Sequence, residues 1–206
     1  MSTLHTHRIP PQDVIDFWFG ELDEHGLADE AHAARWWQKD DAFDELIRAR
    51  FGAVHADLTA GVENAWLDTP TGRLATVLVL DQFSRNLFRG TAAMFEHDER
   101  ARAIALAMIE AGEDRALLAH PRTFLYLPLM HAEDLALQDR CVAEFEALVA
   151  ELGGHARSAV ENNVGFAERH REIIARFGRF PHRNELLGRE TTAAEAAFLK
   201  EPGSSF

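Results

Sequence analysis

Three separated stretches of the chain place ionisable side chains on faces that helical spacing otherwise fills with apolar ones. In the first, Leu74, Val77, Leu78, Asp81, Arg85 and Phe88 share one face, and Asp81 and Arg85 lie four residues apart on it. A carboxylate turned into a core is costly unless it is paired. The pair therefore reads either as a core ion pair that fixes helix packing or as an arginine held ready for an anionic group. In the second stretch, Phe124-Leu-Tyr-Leu-Pro-Leu-Met-His131-Ala-Glu133-Asp134, His131 and Glu133 both turn partly inward just after Pro128. A carboxylate close to an imidazole holds it charged or fixes its tautomer, as in a general acid or base; a hydrogen-bonded core histidine is the plainer alternative.

The third stretch runs from Arg169 to Asn184. Between Glu168 and Arg189 there are six Arg and three Glu, a local charge of +3 in a chain whose net charge is −13. His170 shares an apolar face with Phe166, Ile174 and Phe177, Gly178 ends that helix, and Pro181 suits the opening of another. Amide groups at such a new N-terminus, with Arg179, His182 and Arg183 beside them, would suit a phosphate or carboxylate. The alternative is a basic loop docked on the protein's own acidic surface. Across the three stretches the candidates for acid–base work are His131, Glu133 and His170. Those for ligand binding are Asp81, Arg85, Arg176, Arg179, His182, Arg183 and Asn184.

Other catalytic templates find little footing. His131-Ala-Glu133 has the His-x-Glu spacing of zinc deaminases, but the paired cysteines are missing, and Cys141 is the sole cysteine. There is no His-Glu-x-x-His pair, no glycine-rich nucleotide fingerprint and no Gly-x-Ser-x-Gly elbow, and Ser84 has no evident base beyond its helix neighbours. No metal and no cofactor are expected. Trp36, Trp37 and Trp66 read as core aromatics.

The elements that must hold these residues are helical almost throughout. Asp13 to Phe19 is a short amphipathic helix closed by Gly20. Asp40 or Asp41 caps a helix carrying Phe43, Leu46, Ile47, Arg50, Phe51, Val54 and Leu58 that stops at Gly61. A helix from Arg73 to Phe88 follows a Thr-Pro-Thr-Gly turn, and another from Asp98 to Ala111 ends at Gly112. Pro121 opens the next, which Pro128 should bend or break. Helices from Cys141 to Leu152 and from Val160 to Phe177 follow, and Thr192-Ala-Ala-Glu195 is a capping-box pattern before a short last helix. No alternating apolar–polar run bounded by hairpin turns occurs, and no linker divides the chain. The expectation is a single all-α domain over residues 1–206, built from antiparallel helical neighbours.

At 206 residues, with 47% hydrophobic and 27% charged residues, the chain has the composition of a globular protein that can bury a core unaided. Its acidity argues against a nucleic-acid or anionic-membrane coat. One cysteine excludes an internal disulfide. The apolar run around Leu78-Val79-Leu80 is far short of a membrane span, and Met1 to Pro10 has no signal-peptide core. A cytoplasmic location is expected, with no nucleic-acid or membrane partner. A homodimer is a further expectation, with Trp18 or Phe19 supplying the contact.

The same residues carry a family resemblance. Its core motifs are Val79-Leu-Asp-Gln-Phe-Ser-Arg-Asn-Leu-Phe-Arg-Gly90, Tyr126-Leu-Pro-Leu-Met-His-Ala-Glu-Asp-Leu135 and His170-Arg-Glu-Ile-Ile-Ala-Arg-Phe-Gly-Arg-Phe-Pro-His-Arg-Asn184. With Asp16-Phe-Trp-Phe-Gly20 near the start and Pro202-Gly-Ser-Ser-Phe206 at the end, they resemble a bacterial family, domain of unknown function 924, over essentially the whole chain. The resemblance implies an all-helical, tetratricopeptide-like fold of stacked helical pairs, and no chemistry. At one position the chain departs from the family pattern: Ser84 stands where Pro is usual, which leaves the helix less kinked before Arg85.

The residues together suggest a cavity in which the three stretches converge on a small phosphate- or carboxylate-bearing ligand, with acid–base catalysis as an extension of that binding. The alternative is a tetratricopeptide-like interaction module whose basic loop receives an acidic peptide.

Overall fold

The computed structural model describes residues 9–62 and 64–205. The expectation for Met1 to Pro10 falls mostly outside them, as does Phe206 of the terminal motif. Among the described residues there is no strand. In chain order the α-helices are α1 Pro11–Phe19, α2 Glu30–Trp36, α3 Asp41–Thr59, α4 Pro70–Leu78, α5 Ser84–Leu87, α6 Asp98–Glu110, α7 Ala119–Met130, α8 Leu135–Glu151, α9 Gly154–Val160, α10 Asn162–Phe177 and α11 Ala193–Phe198. The fold is all-α, and no helix is long and apolar enough to cross a membrane.

Caps fix the helix starts that matter for the site. Asp40 accepts hydrogen bonds from the amides of Ala42 (2.9 Å) and Phe43 (3.2 Å). Thr192 and Glu195 form the reciprocal capping box expected of them. Gly178 closes α10 at φ +69°, a left-handed conformation that favours glycine, so the chain turns sharply into the basic segment.

α4 lies at the centre, packed against α1, α6 and α7, while α8 packs on α7 and α10. A π turn, Val79–Phe83, joins α4 to α5, and every residue from Leu74 to Ser84 is buried. Such turns insert one extra residue into a helix and recur at functional positions. α7 is likewise buried from Ala119 to Met130.

Several elements differ from the sequence expectation, each for a local reason. Thr69 caps α4 and Pro70 is its first residue, so Thr-Pro-Thr-Gly is the helix's own first turn. Pro128 does not break α7, which runs on to Met130. Its missing N–H forgoes one backbone bond, but packing on all sides outweighs that local preference. α8 starts six residues before Cys141, behind Asp134, whose side chain accepts from the Leu137 amide at 3.0 Å. α2 and α9 are too short to show a periodic signal. Trp18 and Phe19 are buried in an aromatic cluster and cannot supply a dimer contact. Trp66 is buried, but Trp37 is 62% exposed.

Candidate functional site

Asp81 sits on the π turn, fully buried. Three side chains meet it: Arg85 Nη1 at 3.0 Å, His131 Nδ1 at 2.8 Å, and Gln82, whose Nε2 donates to Oδ2 at 2.6 Å. Burial alone would push the Asp81 carboxyl up, but Arg85 and His131 beside it hold it well below the usual carboxylate range. An ionised carboxylate can only accept hydrogen bonds. Neutral His131 therefore carries its proton on Nδ1 and keeps a bare lone pair on Nε2. Burial and the nearby Arg85 keep that ring neutral by lowering its proton affinity.

Arg85 reaches from Asp81 to the first residue of α6. Its Nη1 and Nη2 donate to Asp98 Oδ1 and Oδ2, both at 3.0 Å, and Nη1 also donates to the Asp81 carbonyl at 2.7 Å. The guanidinium is thus held between two carboxylates, and burial does not prevent its affinity for a proton from rising.

The basic segment brings a second arginine to the same place. Arg183 is 7% exposed, and its Nη1 lies 3.8 Å from Asp98 Oδ2, beyond hydrogen-bond reach. Its Cζ lies 4.6 Å from the ring centre of Phe95 and 4.5 Å from that of Phe180, and its Nε has no hydrogen-bond partner. Burial, then repulsion from Arg85, pushes its pKa down to about 10 despite Asp98. His170 and His182 flank the Phe180 ring at 5.5 and 5.6 Å. Burial lowers their pKa values to about 3 and about 4, and the nearby Arg183 cation acts in the same direction on both.

Glu133 belongs to this neighbourhood but does not orient an imidazole, as the sequence suggested. Its carboxylate accepts from the Phe180 amide at 2.8 Å and from Arg189 Nη1 and Nη2 at 2.6 and 2.9 Å. It ties the segment after Gly178 to the end of α7, and the imidazole's carboxylate partner is Asp81.

Of the ten candidates, Asp81, Arg85, His131, Glu133, His170, His182 and Arg183 are brought together. Arg179 is engaged elsewhere, its Nε and Nη2 donating to Glu195 at 2.6 and 2.8 Å. Arg176 lies over the rings of Phe177 and Phe198. Asn184 is buried, its Nδ2 3.3 Å from Thr191 Oγ1. Pro181–Arg183 is a single 3-10 turn, so the helix N-terminus expected to hold an anion does not form. Sequence reasoning missed Asp98, whose place at a helix start disguised it as a terminal acid, and Arg189, which the charge count included without a role. It also missed His55, whose Nε2 lies 2.9 Å from Ser84 Oγ. Both are buried, and burial lowers the His55 pKa to about 4. Among the described residues no group of three or more His, Cys, Asp or Glu is disposed to hold a metal ion.

The model of a family described as a bacterial protein of unknown function, DUF924, matches residues 14–203. A solved structure, a protein of unknown function designated ATU0120 from Agrobacterium tumefaciens, is 40% identical with a TM-score of 0.75. The match covers 92% of this chain and 96% of that one. Among curated proteins none matches.

Proposed function

The chain belongs to the DUF924 family of bacterial proteins of unknown function, and from that premise we propose that it binds a small phosphate- or carboxylate-bearing ligand at Arg183. The observation that carries this is an arginine buried among aromatic rings, 3.8 Å from its nearest carboxylate, with an unpartnered Nε. A desolvated cation so incompletely neutralised gains more from an incoming oxyanion than one already paired. Arg85 plays a supporting part: locked between Asp81 and Asp98, it keeps both carboxylates from fully neutralising Arg183. His131 Nε2, His170 and His182 then receive or share the ligand's proton. An anion beside these imidazoles raises their proton affinity, so binding is accompanied by proton uptake.

The same arrangement supports a proton-transfer role. Asp81 fixes the His131 tautomer as an orienting carboxylate fixes a catalytic imidazole, leaving Nε2 as the base. The succession of α6, α7, α8 and α10 supports reading the architecture as stacked helical hairpins of tetratricopeptide type. An acidic-peptide groove on the basic loop has less support, since Arg179 and Arg189 are already engaged by Glu195 and Glu133.

Thermal-shift and calorimetric titrations with inorganic phosphate, pyrophosphate and dicarboxylates test the reading. Saturable stabilisation by at least one, stronger at pH 6 than at pH 8, is expected. No response from any of them up to tens of millimolar would overturn it.

A further inference from the structure

A second site lies away from this cluster, where the chain between α1 and α2 meets the start of α7. There a cavity of about 890 Å³ falls within the size range of small-molecule sites. One wall is aromatic. Trp36, Trp37 and Phe124 line it, Trp37 stacking on Phe124 at 5.8 Å with 15° between rings and meeting Trp36 edge-on at 6.4 Å. An indole left 62% exposed beside a concavity is an uncompensated apolar surface.

The rest of the lining is rich in carboxylates. Glu21, Asp23, Asp29 and Glu30 line the cavity together with His155, which acts electrostatically on Asp23, and among the described lining residues there is no lysine or arginine. Asp23 stays ionised because the Leu27 and His25 amides donate to it, and Asp29 because the backbone and side chain of His32 do.

The wall is built rather than incidental. Asp23 Oδ1 accepts from the amides of His25 and Leu27, both at 2.8 Å. The Gly26 carbonyl accepts from the His120 amide at 3.0 Å, and His120 Nδ1 accepts from the Ala28 amide at 2.8 Å. Gly26 takes φ +78°, and a side chain there would run into Leu118. The loop is thereby pinned to α7. Because its Nδ1 is an acceptor, His120 is neutral with its proton on Nε2, and burial lowers its pKa to about 4. It adds no positive charge.

From this aromatic wall and the fixed carboxylates that share the cavity, we infer that the cavity binds a small organic cation, an amine with an apolar body whose ammonium group lies against the indoles. Ammonium groups are attracted to the faces of tryptophan rings, and the carboxylates supply the complementary charge. This goes beyond the anion site and does not rest on it.

The test is a tryptophan-fluorescence and ligand-observed NMR titration of the full chain with phenethylammonium, its neutral analogue 2-phenylethanol serving as control. The cation is expected to bind saturably and the alcohol at least tenfold more weakly. Trp37→Ala, at an exposed position, should weaken the cation by roughly 3- to 30-fold, the range of a cation–π contact. Glu30→Gln should weaken it by a smaller factor, and more at low salt than at high. Equal binding of alcohol and ammonium, or full affinity in Trp37→Ala with an unchanged melting temperature, would overturn the inference. So would the absence of saturable binding up to tens of millimolar.

Discussion

Replacing Arg183 by methionine is expected to stabilise the protein while removing its response to anions. The guanidinium's pKa falls from its ordinary 12.5 to about 10. At about 1.4 kcal/mol per tenfold, that corresponds to roughly 3 kcal/mol of unfavourable surroundings for the cation. Its contacts with the Phe95 and Phe180 rings, at 4.6 and 4.5 Å, return part of this, about 1 kcal/mol each. Methionine fills similar space and keeps sulfur–aromatic contacts in their place. The net gain is therefore about 1 kcal/mol, or about 2 to 4 °C in melting temperature for a chain of this length. Thermal melts of the two proteins with and without inorganic phosphate read both halves of the expectation. A melting temperature lowered by more than a few degrees would refute the reasoning that Arg183 is an incompletely neutralised cation. A phosphate shift equal to that of the unaltered protein would refute its role in binding.

Further expectations concern the groups around it. Asp81→Asn leaves Arg85 with Asp98 alone and should cost about 3 kcal/mol, the low end for breaking a buried pair; Asp81→Asn with Arg85→Met should recover part of this in urea titrations. Stability should fall as pH drops from 6.5 toward 4.5. His55, His120, His170 and His182 are held neutral, with folded pKa values of about 4, 4, 3 and 4. The unfolded chain, with ordinary values near 6.5, takes up protons first. Asp81 and Glu133, whose pKa values are depressed, lose their contributions only below about 4.5. A urea midpoint that stays flat between pH 7 and pH 4.5 would contradict this. Glu133→Gln should increase amide exchange at Phe180 and leave the titration of His131 unaltered by NMR, whereas Asp81→Asn should lower the His131 pKa further.

What the sequence made legible was whatever depends on spacing within one element. Asp81 and Arg85 announce their pairing because one helical turn separates them, and Thr192 and Glu195 announce theirs by the capping pattern. Pairings across elements were not legible. His131 stands two residues from Glu133 in the chain, yet its carboxylate partner comes from α4's extension fifty residues earlier. Arg179 looked as available as Arg183, but Glu195, already engaged as a cap, also takes its guanidinium. The continuous helix through Pro128 and the exposure of Trp37 were equally hidden, because tertiary packing settles both and neither leaves a local trace. The π turn at Val79–Phe83 has no simple sequence signal, though it carries the central carboxylate.

The most direct test of the central claim, that three distant segments meet to leave one buried arginine open to an anion, is a crystal soaked with tungstate and read by anomalous scattering. The expected result is a tungsten peak about 4 Å from the Arg183 guanidinium nitrogens, an oxyanion's central atom lying beyond the oxygens that accept the hydrogen bonds, beside His131 and His182. Tungstate held only by exposed arginines such as Arg171 or Arg176, with none at Arg183, would contradict it.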